Sequence, residues 1–184
     1  SAASDVYKRQ DVQTKQPVLP SCLPNQRPGS LLGGSGQSDR NTGAFAALKA
    51  DGSISAWGDS TTGGTGAPTG TGYSNIFSTA NAFAALKADG SISAWGGANG
   101  GTGEPTGPGY INIFSNGYAF AAIKADGSIS AWGGANGGTG APTESGFVNI
   151  FSNTYAFAGL KADGSISTWG KASYGGCLLY TSDA

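Results

Sequence analysis

Histidine and methionine are absent from this chain of 184 residues, and cysteine occurs only twice. Without histidine there is no imidazole to act as general base, metal ligand or physiological pH switch. Charge is scarce too: 10 Lys and Arg stand against 11 Asp and Glu, for a formal net charge of −1. Such a chain has no basic field to draw in nucleic acid or an acidic membrane surface. No apolar run approaches the roughly 20 residues of a membrane-spanning helix. What is abundant is glycine, 33 residues of it, among many Ala, Ser and Thr. That mixture favours strands and turns over surface helices.

The two ends of the chain read differently from its middle. Residues 1–10, SAASDVYKRQ, resemble a translated transposase adapter of the kind used to build sequencing libraries, and residues 177–184, CLLYTSDA, resemble the same adapter read from its complementary strand. Both are set aside from fold reasoning. Cys177 goes with them, which leaves Cys22 alone and no disulfide to expect. Residues 11–43 include PVLPSCLPNQRPG and lack the pattern that follows; they read as linker, disorder or non-native sequence.

Repeats govern the rest. Phe45, Phe83, Phe120 and Phe157 open the blocks FAALKADGSISAWG, FAALKADGSISAWG, FAAIKADGSISAWG and FAGLKADGSISTWG, at spacings of 83 − 45 = 38, 120 − 83 = 37 and 157 − 120 = 37 residues. GGTG follows at Gly63–Gly66, Gly100–Gly103 and Gly137–Gly140, then Pro68, Pro105 and Pro142, then Asn-Ile-Phe at Asn75–Phe77, Asn112–Phe114 and Asn149–Phe151. After Gly175–Gly176 the pattern breaks at Cys177, so the natural protein is expected to continue.

Asp-Gly between two strand-compatible runs signals a two-residue hairpin turn with both residues at positive φ. That turn sets Lys49 opposite Ile54, Leu48 opposite Ser55 and Ala47 opposite Ala56. Phe45, Ala47, Ile54 and Ala56 then share one face, with Ala46, Leu48, Ser55 and Trp57 on the other. A third strand around Ile76 and Phe77 completes a small sheet. Neither face suits open water, so the sheets must cover one another, as blades of a propeller or coils of a solenoid. One hairpin plus a strand per unit favours blades. The fold class expected is all-β: about half of a propeller, with repeats of 37 or 38 residues over 44–176.

The block ALKADGSISAWG, with the Gly-rich turn and Pro after it, resembles the regulator-of-chromosome-condensation repeat superfamily, and more closely its short-repeat bacterial branch typified by the beta-lactamase inhibitory protein. The resemblance implies a seven-bladed ring, of which this chain holds three units and part of a fourth. Eukaryotic members often carry His before the first strand, where this chain has Ala44, Ala82, Ala119 and Ala156. Nucleotide exchange, chromatin binding and beta-lactamase inhibition depend on loops with no counterpart here, and none carries over.

Each chemical candidate has a structural alternative. Asp51, Asp89, Asp126 and Asp163 precede Gly and suit turns rather than a metal ladder. Trp57, Trp95, Trp132 and Trp169 recur in one context, as blade packing does. Lys49, Lys87, Lys124 and Lys161 extend their stems along the sheet with the ammonium wet. GGTG lacks the Lys-Ser/Thr and helix of a phosphate loop. Asp59, Glu104 and Glu144 break the repeat in different units, whereas a glycosidase holds two carboxylates close together. The reading is therefore not an enzyme, with no cofactor and no metal.

In a repeat array, function belongs where units differ. The candidate interaction loops contain Asp59, Ser60, Thr61, Thr62, Asn99, Glu104, Asn136 and Glu144, between each Trp-Gly and the next Asn-Ile-Phe. The expected function is a non-enzymatic binding scaffold, a module of a larger bacterial secreted or surface protein with a protein or glycan partner and neither nucleic acid nor membrane insertion. A propeller-type enzyme inhibitor and a glycan-binding or glycan-processing propeller are the alternatives. Residues 1–43 are expected to contribute little stability, and the isolated arc to self-associate through its uncovered end sheets.

Overall fold

The computed structural model describes residues 26–32 and 41–177. The adapter-like residues 1–10, Cys22, and 178–184 of the second adapter-like segment lie outside the described residues. Among the described residues, twelve strands form four three-stranded antiparallel sheets. The first holds β1 (Gln26–Leu32), β2 (Ala44–Lys49) and β3 (Ile54–Gly58). The second holds β4 (Tyr73–Ser78), β5 (Ala82–Lys87) and β6 (Ile92–Gly96); the third, β7 (Tyr110–Ser115), β8 (Ala119–Lys124) and β9 (Ile129–Gly133). The fourth holds β10 (Phe147–Asn153), β11 (Ala156–Lys161) and β12 (Ile166–Gly170).

Each Asn-Ile-Phe strand joins the hairpin that follows it, not the one before: β4 pairs with β5, β7 with β8 and β10 with β11. Connection length explains this. Only residues 79–81 separate β4 from β5, whereas 59–72 separate β3 from β4, and short connections join antiparallel neighbours. In the first sheet Gln26–Leu32 occupies that place beside β2, in an irregular register that runs Gln26 to Lys49, then Leu31 to Ala47. Within residues 11–43, Gln26–Leu32 thus forms a strand, and Asn41–Gly43 belong to the repeat as shown below.

The hairpin register also differs from expectation, by one residue. Leu48 faces Ile54, Ala47 faces Ser55, Ala46 faces Ala56 and Phe45 faces Trp57. The loop has three residues: Gly52 N–H donates to the Lys49 carbonyl and Lys49 N–H to Ser53, with Gly52 at φ 77°. This is a type I turn closed by one left-handed residue. Asp51 can stay out of the left-handed region because its Oδ1 accepts the N–H and hydroxyl of Ser53 at 2.9 and 2.7 Å. Phe45 and Trp57 therefore share a face with Ala47 and Ser55, while Ile54 lies on the other with Ala46 and Leu48. The slip moves one strand's side chains across the sheet relative to its partner.

That arrangement makes two unlike faces, and they mate. Ala44 and Ala46, backed by Leu48 and Ile54, pack on Phe83, Ala85, Trp95 and Ile76 of the next sheet. The two later interfaces repeat the pattern around Phe120 and Trp132, and around Phe157 and Trp169. Small alanines on one face leave room for stacked aromatics from the other; Phe83 and Trp95 lie 5.2 Å apart, centroid to centroid. Each buried Phe or comparable side chain contributes about 1.5–3 kcal/mol by leaving water. The indoles are satisfied across the interface: Trp95, Trp132 and Trp169 donate Nε1–H to the carbonyls of Gly63, Gly100 and Gly137 at 3.0–3.1 Å. Turns add a second seam, with Thr42, Ala80 and Gly117 N–H donating to Ala80, Gly117 and Thr154 carbonyls.

Candidate interaction face

One end of the array is organised by a repeated side chain that spacing arguments from Phe45 onward overlook. Asn41, Thr79, Asn116 and Asn153 stand at intervals of 79 − 41 = 38, 116 − 79 = 37 and 153 − 116 = 37 residues. In Asn116, Oδ1 accepts from Tyr118 and Ala119 N–H, both at 2.8 Å, and Nδ2 donates to the Asn136 carbonyl at 2.6 Å. Asn41 holds the Thr62 carbonyl in the same way and Asn153 the Tyr174 carbonyl. Thr79 uses its single hydroxyl for both jobs, accepting from Ala82 N–H and donating to the Asn99 carbonyl. The turn entering the middle strand and the loop leaving the last strand are thereby locked together. The switch between Asn and Thr hides this position from a search for identical residues.

On this frame the side chains vary from unit to unit. The residue two beyond the lock is Gly43, Asn81, Tyr118 or Tyr155. The exit loops read Asp59–Thr62, Gly97–Asn99, Gly134–Asn136 and Lys171–Tyr174, the first and last being one residue longer and wound into short 3₁₀ turns. At the late end the variable side chains meet. Tyr118 stacks on Tyr155 at 5.4 Å, Tyr155 meets Tyr174 at 4.5 Å, and the Lys171 ammonium sits 5.1 and 4.8 Å from the centroids of Tyr155 and Tyr174. Tyr174 is 48% exposed. The lysine thus joins the two rings by cation–π contact, and tyrosine is a residue enriched at protein interfaces.

The eight candidate loop residues fall into separate places. Asp59, Ser60, Thr61, Thr62, Asn99 and Asn136 lie at this end. Asp59 caps its own 3₁₀ turn, accepting the Thr61 hydroxyl and N–H at 2.8 Å each, and those bonds hold its carboxyl below the usual range. Thr62 is buried, and Asn99 and Asn136 serve the lock through their carbonyls. Ser60 is exposed. Glu104 instead reaches the edge of β6, where its Oε1 accepts from Ala94 N–H at 3.4 Å.

Glu144 lies near the opposite end, and its neighbours explain it. Tyr73 and Tyr110 pair their hydroxyls with Ser93 and Ser130, but the fourth sheet has Phe147 there. Ser167, lacking a tyrosine partner, donates to Glu144 at 3.0 Å, and Lys161, which lies over the Phe147 ring, makes a 3.2 Å ion pair with the same carboxylate. The Ser167 hydroxyl and Lys161 lower the Glu144 pKa. The Asp-Gly hairpins occupy this end too, each aspartate engaged by its own serine.

No protein-family model matches the chain, and no curated protein does. Solved structures do. The ectodomain of the Physcomitrella patens receptor kinase CR4 superposes with a TM-score of 0.54 at 21% identity, over 71% of this chain and 39% of that one. The CRINKLY WD40 ectodomain of the Arabidopsis thaliana receptor kinase ACR4 gives 0.54 and 21%, over 72% and 49%. Yeast RCC1 (Prp20), in a crystal structure bound to Kap60, gives 0.52 and 17%, over 72% and 42%. The chain spans less than half the length of these neighbours. At such identities the likeness concerns fold alone, and the fold it identifies is the RCC1-like repeat, here as a partial propeller of four sheets.

Proposed function

We propose that this chain is a non-enzymatic binding scaffold whose partner, a protein, seats on the end carrying the Asn/Thr locks and the exit loops. The observation that carries this reading is the Tyr118–Tyr155–Tyr174 run with Lys171: the repeat fixes the backbone there, and the side chains differ between units. Tyrosine offers large contact area at low entropy cost and is enriched at protein interfaces. The yeast neighbour's structure holds a protein partner, Kap60, which makes protein recognition a use this fold can serve. The finer placement, in a secreted or surface protein of the short-repeat bacterial branch, rests on the ALKADGSISAWG blocks and the low charge.

The test presents the immobilised chain to panels of purified bacterial surface proteins, secreted hydrolases and arrayed glycans. A protein binder should lose its affinity when Tyr155→Ser and Lys171→Ala are combined, with the far-ultraviolet circular dichroism unchanged, and keep it in Glu104→Gln at the blade edge. Binding of glycans alone, or binders indifferent to Tyr155 and Lys171, would overturn the reading.

A further inference from the structure

The two outermost sheet faces carry the separated halves of an interface that the chain forms three times internally. In each internal interface, a Phe ring rests against a glycine of the preceding exit loop. A Cβ on Gly63 would come within 2.8 Å of the Phe83 ring, and one on Gly100 or Gly137 within 2.6 Å of Phe120 or Phe157. The same three glycines offer the carbonyls that accept the Trp indoles. The seat is thus a bare glycine, its carbonyl and a floor of alanine, and the plug is a Phe–Trp pair.

The fourth exit loop has the same seat, open. Gly175 is its glycine, at φ 90°, and no atom lies within 4 Å of where its Cβ would be. Beside it is a cavity of about 240 Å³ lined by Phe151, Ala156, Ala158, Tyr174 and Gly175 among others. Phe151 is 56% exposed, whereas its counterpart Phe77 packs against the core. At the other extreme the first sheet has the plug, half-exposed and with no exit loop over it among the described residues. Phe45 and Trp57 are stacked at 5.7 Å, much as the three internal pairs are, but are 47% and 36% exposed, against 0% and 4% for Phe83 and Trp95.

We infer that a second copy of this chain docks head to tail, its Phe45 and Trp57 entering the Gly175 seat and the Trp57 indole donating to the Gly175 carbonyl. A second copy is the occupant because it presents the side-chain pair, already stacked, that three identical seats in this chain accept. Two different surfaces meet, so the contact is heterologous. It closes when both seats of a pair are filled and otherwise propagates.

Sedimentation velocity of the full chain across a concentration series tests this. Phe45→Ser with Trp57→Ser removes the plug, and Ala158→Arg fills the seat. The wild-type chain should form dimers or longer species, each variant should be monomeric alone, and an equimolar mixture of the two should form a dimer through the one intact plug and seat. Non-specific apolar aggregation would leave the variants associating alone, and a symmetric contact would not be restored by mixing; either overturns the inference, as does a monomeric wild-type chain. Should Ala158→Arg fail to fold, Trp57→Phe serves: it keeps the ring, removes the indole donor and should weaken association about fivefold, the worth of one hydrogen bond. An unchanged association constant would remove Trp57 from the contact.

Discussion

The first and third sheets carry the same strand sequences at their centres, apart from Leu48 against Ile123, yet their aromatic pairs live in opposite surroundings. Phe120 and Trp132 are 0% and 3% exposed; Phe45 and Trp57 are 47% and 36%. Local sequence makes the hairpin and stacks the rings in both. Burial comes from the neighbouring exit loop, which the third sheet has in Gly100 and the first lacks among the described residues. In a repeat array the interface between units, more than the unit, distributes stability.

The largest expected effect follows from that contrast. Phe120→Ala should destabilise the chain by about 3–5 kcal/mol, the cost of a large cavity in a packed site. Phe45→Ala, at a half-exposed ring, should cost less than about 1 kcal/mol at concentrations where the chain is monomeric. Urea unfolding of the two variants measures both. Equal losses would break the comparison and place a cover over the first sheet's aromatic face.

Glycine sharpens it next, because one residue type serves as seat or as plain turn. Gly100→Ala pushes a methyl into the Phe120 ring at φ 107°, whereas at Gly66, φ 81°, nothing lies within 4 Å. The former should lose about 2–4 kcal/mol, the sum of overpacking and left-handed strain, and the latter about 1–2 kcal/mol from strain alone. Chemical unfolding of both variants decides; comparable losses would mean that the ring yields without cost.

These contrasts also mark what the sequence disclosed. The period, the three strands per unit and the Asp-Gly hairpin were legible because Phe, Asp-Gly and Trp-Gly recur with little variation. The register was not, because Asp-Gly suits both a two-residue and a three-residue loop. The clue lay one residue on, in Ser53, Ser91, Ser128 and Ser165, whose N–H and hydroxyl engage the aspartate and leave only glycine at positive φ. The grouping of Asn-Ile-Phe with the following hairpin was hidden while the unit was counted from Phe45. The unit begins earlier, at Tyr73, Tyr110 or Phe147, and the lock residues Asn41, Thr79, Asn116 and Asn153 that follow this strand differ in type because an amide and a hydroxyl can both accept one bond and donate another. For the same reason the Tyr118, Tyr155 and Tyr174 run escaped notice: it straddles two segments that are distant in sequence and joined by that lock.

The smallest effect concerns a feature in which the first sheet equals the others. Asp51, Asp89, Asp126 and Asp163 are all exposed, and each is held below the ordinary carboxylate value of 3.8 by its serine hydroxyl first and that serine's N–H second. A carboxylate whose pKa is lower folded than unfolded adds stability above the unfolded value, and that contribution disappears as pH falls through the folded one. The melting temperature should therefore hold from neutrality to about pH 5 and decline below it. Asn at all four positions retains an Oδ1 acceptor for the serine and loses the titration, so the variant's profile should flatten, save for the share due to Asp59 and Glu144, which are shifted the same way. Asp51→Asn and Asp126→Asn should act alike: both turns offer backbone carbonyls to the next sheet, Gly52 to Tyr73 N–H and Gly127 to Phe147 N–H, but each carboxylate bonds only the serine of its own turn. Thermal melts from pH 7 to about pH 3 test this, that range spanning the expected titration. If Asp126→Asn alone changed the profile, the aspartate–serine bonds too would draw their strength from the interface, and the division between unit and neighbour would fall in a different place.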